Sequence, residues 1–132
     1  MKYTFGVRYW QPSSLRMTKA RVQFHLRVIK GNRRAIGPGK IALLEAIRDT
    51  GSISAAARKL RMSYRRAWLL ADDLNRRMPK AVVEAVPGGK HGGGTTLSPT
   101  GHKLVGLYRD IERKALRQTS SATRALLELL KK

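Results

Sequence analysis

The hydrophobic positions along this chain change period several times, and each change marks an element. Residues 3 to 9 alternate, with Tyr3, Phe5, Val7 and Tyr9 on one side, which reads as a short strand, a flexible arm or a translated leader. Pro12-Ser13-Ser14 then reads as a turn. From 21 to 29 the alternation is cleaner. Val22, Phe24, Leu26 and Val28 face one way and Arg21, Gln23, His25 and Arg27 the other, which predicts a half-buried strand. Gly37-Pro38-Gly39 breaks the chain, and Pro38 suits the first turn of a helix. There the period becomes 3.6: Ile41, Leu43, Leu44 and Ile47 share one face, and Gly51 is placed to end the helix.

Ser52 or Ser54 can cap a second helix whose inner face is Ile53, Ala56, Ala57 and Leu60. Ser63 caps a third, with its apolar stripe at Ala67, Leu70, Ala71, Leu74 and Met78. After Pro79 the period falls to two. Residues 82–86 and 95–97 flank the glycine-rich run 87–94, which predicts a hairpin. Ser98-Pro99 opens a further helix with Leu104, Leu107, Tyr108, Ile111 and Ala115 along one side. Thr119-Ser120-Ser121 interrupts it before a last amphipathic stretch, 122–130. No internal repeat is visible.

Composition narrows the partner. A chain of 132 residues suits one domain with a modest core. Its 28 Lys and Arg against 8 Asp and Glu, a formal charge of +20, favour a polyanion. The first 40 residues hold ten bases and no acid. A transit peptide is disfavoured by the strand-like segment inside that stretch, and no secretory apolar run or membrane span is present. Without cysteine there is no disulfide framework or thiolate metal site, which suits a reducing cytoplasm. The expected location is cytoplasmic, associated with the nucleoid.

Residues 51–78 then read as a helix-turn-helix, whose second helix enters the DNA major groove. The glycine-rich hairpin behind it is the expected wing. On the third helix, the face opposite Ala67 and Leu74 holds Arg65, Leu69, Asp72 and Arg76. Arg65 and Arg66 lie in its first turn, where an arginine can bridge O6 and N7 of guanine or hold a phosphate. The hydroxyls of Ser63 and Tyr64 suit a backbone phosphate. Ser54, on the preceding helix, joins the DNA-binding set. Leu69 is apolar and faces outward, where it either meets a thymine methyl or marks a helix phase one residue off. Lys90 and His91 at the wing tip complete the set, with Lys90 toward backbone or minor groove. Asp72 and Asp73 pair at i,i+4 with Arg76 and Arg77, away from the bases. Trp68 reads as packing.

Other chemistries are disfavoured. The glycine run lacks the ending of a phosphate-binding P-loop. His25, His91 and His102 show no metal-ligand spacing. The few carboxylates form no acid/base pair, so no metal, no cofactor and no enzymatic activity are expected.

Ser54-Ala-Ala-Ala57, Ser63-Tyr-Arg-Arg-Ala-Trp68, the wing and Leu97-Ser-Pro-Thr-Gly101, in this order, closely resemble the N-terminal DNA-binding domain of ModE-type molybdate-dependent regulators. LysR-type regulators share a more distant version. The match covers roughly 21–117. The resemblance implies a homodimer paired through its first and last long helices, and Leu44, Leu104, Leu107, Tyr108 and Ile111 are the expected dimerisation residues. The C-terminal molybdate-binding domains of that family have no counterpart here, so no molybdate site is expected in this chain.

The expected fold is therefore mainly α with a small β component: a winged helix-turn-helix with a long C-terminal dimerisation helix. An N-terminal extension occupies 1–20, the winged domain 21–117 and a helical extension 118–132. The expected function is sequence-specific binding of double-stranded DNA as a homodimeric transcriptional regulator. Two alternatives stay open: a non-specific architectural nucleic-acid-binding protein, and a DNA-binding module that needs a separate effector-sensing partner.

Overall fold

The computed structural model describes residues 19–89 and 92–130. The expectations for residues 3–14, and those for Lys90 and His91, lie outside the described residues.

Helix α1, Pro38–Thr50, is the hub of the fold. Proline stands at its start, and Gly51 ends it in the left-handed region (φ 78), where its N–H donates to the Ile47 carbonyl at 2.8 Å. Ile41, Ala42, Leu43, Leu44, Ala46 and Ile47 are all buried on it. They meet helix α2 (Ile53–Lys59), helix α3 (Tyr64–Arg77), helix α4 (Pro99–Gln118) and strand β4 (Gly92–Leu97).

Side-chain caps set the helix starts. Ser52 Oγ accepts from the Ala55 N–H at 2.9 Å, so Ser52 caps α2 and Ser54 is left exposed. Ser63 Oγ accepts from the Arg66 N–H at 3.1 Å and opens α3. Ala56 and Ala57 are buried, and their small side chains let α2 approach both neighbours closely. The turn into α3 passes through Arg61, which adopts φ 56, a left-handed conformation uncommon for a side chain of this size.

Strand β3 (Val83–Gly89) pairs antiparallel with β4, with Val83 opposite Leu97 and Ala85 opposite Thr95. Backbone bonds seat this hairpin on the helices: the Thr95 N–H donates to the Gly51 carbonyl at 2.8 Å and the Ser98 N–H to Val82 at 3.0 Å. Asn75 on α3 adds a side-chain clamp. Its Oδ1 accepts from the N–H groups of Val82 (2.8 Å) and Val83 (3.1 Å), and its Nδ2 donates to the Val83 carbonyl (3.0 Å). Ser98 caps α4 by accepting from the Gly101 N–H, and it donates to the Ala81 carbonyl. Helix α5, Ser120–Glu128, follows a break at Thr119.

Several expectations are corrected. The strand over 21–29 shortens to β1, Val28–Lys30, paired antiparallel with β2, Arg33–Ile36. Residues 21–27 keep the alternation without strand pairing. Val22, Phe24 and Leu26 are half-buried and Arg21, Gln23 and His25 exposed, because the segment packs beside α4 and Tyr108 holds its Leu26 carbonyl. The β1–β2 and β3–β4 hairpins form separate two-stranded sheets. Leu44 (0% exposed) and Tyr108 (3%) are committed to the monomer's core and cannot present a dimer surface. Leu104 is half-buried against the same core, whereas Leu107 and Ile111 face outward. No helix among the described residues is long and apolar enough to cross a membrane.

Candidate functional site

The exposed part of α3 carries two chemically different sides. On one, Ser63, Arg65, Arg66, Leu69 and Leu70 line a shallow depression. Arg65 and Arg66 are exposed there, and Arg58, Lys59 and Arg61 are exposed along the end of α2 and its turn. This concentration of guanidinium groups suits phosphate or another oxyanion. Leu69 is exposed, as its outward phase predicts. The Ser63 hydroxyl oxygen is occupied by its cap.

The other side is aromatic. Tyr64 (54% exposed) and Trp68 (45%) stand one helical turn apart and face a cleft of about 350 Å³. Ile53, Asp72, Asn75, Val83, Ala85 and Thr95 also line it. The reading of Trp68 as packing is thus corrected: the hairpin seated by Asn75 stands beside the indole without covering it. The i,i+4 spacing of the two rings was a signal available in the sequence. The position of the hairpin was not.

Acidic residues on α3 are held by neighbours. Asp72 meets Arg76 at 3.0 Å. Asp73 meets Arg77 at 2.7 Å and also Lys40 Nζ, which donates in turn to the Ala35 carbonyl at 2.9 Å. The Arg77 hydrogen bond, and next that of Lys40, hold the Asp73 carboxyl below the usual carboxylate range. Asp73 therefore fastens α3 to α1.

A second cavity, about 280 Å³, lies between residues 21–25 and α4. Its lining includes Phe24, Leu116 and the cationic or titratable Arg21, His25, Arg109 and Arg113. Arg109 bridges Glu45 (2.5 and 3.0 Å) and Glu112 (2.6 Å), and its guanidinium lies 5.7 Å from the Tyr108 ring centre. Burial opposes the charge on Arg109, but the hydrogen bonds it donates to both carboxylates outweigh it and hold its pKa above the ordinary value. Among the described residues no group of three or more His, Cys, Asp or Glu could hold a metal ion.

No family model matches the chain. It is 45% identical over 91 residues to the molybdenum-pterin-binding protein MopB of Rhodobacter capsulatus, covering 69% of this chain and 34% of that protein. It is 42% identical over 78 residues to the molybdenum transport protein ModE of Azotobacter vinelandii, covering 59% and 29% respectively. With the DNA-binding transcriptional dual regulator ModE of Escherichia coli K12 it shares 38% identity over 81 residues, 59% of this chain and 31% of the relative. The chain spans about a third of the length of the curated relatives it matches.

These relatives correct the sequence reading at its centre. Proteins named for molybdenum-pterin binding and molybdenum transport stand among them, so a resemblance confined to a DNA-binding domain, with molybdate set aside, is withdrawn. The winged helix-turn-helix label goes with it, and the fold is stated as mainly helical with two small antiparallel sheets. A self-sufficient, sequence-specific homodimeric regulator of double-stranded DNA is not carried forward. Nor is the claim that this chain has no molybdate site.

Proposed function

We propose that this chain is a nucleic-acid-binding module of a molybdenum-responsive system, acting with a separate partner that senses the effector. The observation that carries this reading is the exposed cationic rim of Arg58, Arg61, Arg65 and Arg66 around the α2–α3 turn, in a chain of charge +20. The Escherichia coli relative, a DNA-binding transcriptional regulator, supports it, as do the molybdenum-pterin-binding and molybdenum-transport relatives. The exposed Leu107 and Ile111 on α4 offer that partner an apolar docking stripe. The module binds rather than catalyses, and works in the cytoplasm at the nucleoid.

Fluorescence anisotropy tests this with labelled duplex and single-stranded oligonucleotides, over a salt series and with added molybdate. Binding by the chain should weaken steeply as salt rises, log K falling by about 0.9 per duplex phosphate or 0.7 per single-strand phosphate contacted. Absence of binding at low salt would sink the reading. A molybdate-dependent affinity of the chain by itself would remove the partner from it.

A further inference from the structure

The cationic side of α3 accounts for phosphate binding, but it leaves the aromatic side without a role. We infer that Tyr64 and Trp68 form a stacking platform for unpaired bases of a single-stranded nucleic acid. This deepens the nucleic-acid reading above and rests on it.

Three observations converge. First, two large aromatics on successive turns of one helix stay about half exposed, although burying such rings is ordinarily favourable. Second, the cleft beside them is already shaped. Ile53, Val83 and Ala85 give it apolar walls, Asn75 holds the hairpin that forms its far side, and its size falls in the range of small-ligand pockets. Third, its edges are polar in a way that suits a base. Asp72, whose Oδ2 meets Arg76, has Oδ1 to accept from an amino or ring N–H, and Thr95 supplies a hydroxyl. Arg65 and Arg66 are exposed on the neighbouring side of the same helix and supply the positive charge that a nucleic-acid backbone needs. Aromatic faces set beside a cationic track are how sequence-tolerant single-strand binding is built. Paired bases inside a duplex hide the faces that such a platform needs.

The chain has two tryptophans, Trp10 and Trp68. A Trp10→Phe background therefore makes the emission report Trp68. A single-stranded oligonucleotide of about 12 nucleotides should quench this emission, and a duplex of the same sequence should leave it nearly unchanged. Trp68→Ala should lower single-strand affinity about tenfold, Trp68→Phe should restore most of it, and duplex affinity should change less than about twofold. Tyr64→Ala should lower single-strand affinity in the same direction, which keeps the test decisive if Trp68→Ala folds poorly. Equal quenching by duplex, or full single-strand affinity in Trp68→Ala, overturns the platform. Duplex binding without single-strand quenching overturns the platform alone. Loss of both kinds of binding overturns the nucleic-acid reading beneath it.

Discussion

The Tyr108 hydroxyl donates to the Leu26 carbonyl at 2.6 Å, tying the middle of α4 to a segment 82 positions earlier. The ring is buried, and burial first, then the Glu112 charge, pushes the phenol up to about 12. The folded-state pKa thus exceeds the ordinary value near 10, so the stabilisation is complete below about pH 10 and is lost as pH rises toward the folded value. Tyr108→Phe should destabilise by about 1 kcal/mol at neutral pH. It should also remove the late-titrating phenol from an alkaline absorbance titration. Loss of a phenol that titrates near the ordinary value of about 10 instead would show that the ring is not buried in solution.

Asp73 behaves in the opposite sense. Its folded-state pKa is depressed, so its contribution is present above the ordinary carboxylate pKa, about 3.9, and fades as pH falls through the folded value. Asp73→Asn should be less stable than the parent at neutral pH by under about 1 kcal/mol, since the carboxylate is partly solvated. The two should converge in acid. Parallel pH–stability curves from chemical unfolding would contradict this.

Leu44 and Leu107 separate core from surface. Leu44→Ala should cost about 2–5 kcal/mol, because the side chain is fully buried among α1 and its neighbours. Leu107→Ala should change stability by less than about 0.5 kcal/mol, since that side chain is 54% exposed. Thermal unfolding of the two variants side by side reads the difference. Comparable losses would mean that Leu107 is covered in solution.

Arg61 carries a backbone cost at φ 56 that glycine would not. Arg61→Gly should raise stability by up to about 1 kcal/mol, offset in part by the freer unfolded chain. It should weaken oligonucleotide binding modestly at low salt, through the lost cation. A strongly destabilised variant would place the arginine side chain in an essential contact.

Gly101 is held by close packing rather than by its φ. A Cβ there would run into the backbone carbonyl oxygen of Val82, which already accepts the Ser98 N–H. Gly101→Ala should force α4 away from the hairpin and cost about 1–3 kcal/mol in chemical unfolding. A neutral result would show that this junction relaxes freely.

The helices were legible in the sequence because their signals are local. Pro38 and Gly51 bound α1, Ser63 and Ser98 cap α3 and α4, and the 3.6-residue stripes identify the buried faces. The exposure of Leu69 and the pairing of Asp72 and Asp73 with arginines four residues on were legible for the same reason. A hydrophobic pattern does not say which surface covers it. Leu44 and Leu107 both lie on apolar helix faces, yet packing buries one and leaves the other in solvent. Residues 21–27 alternate as a strand would, yet they satisfy the alternation against α4 without strand pairing.

Asn75 is the clearest case of a role that only the tertiary structure decided. Nothing in the helix pattern marks it, because its partners Val82 and Val83 lie seven and eight residues on, past the end of α3, where the chain turns back into the hairpin. The same holds for the cleft beside Trp68, whose far wall is that hairpin. By itself the sequence determined the helices, their caps and the cationic character of the surface, all of which depend on residues a turn apart or on composition. Which side chains were left exposed together was decided by long-range packing.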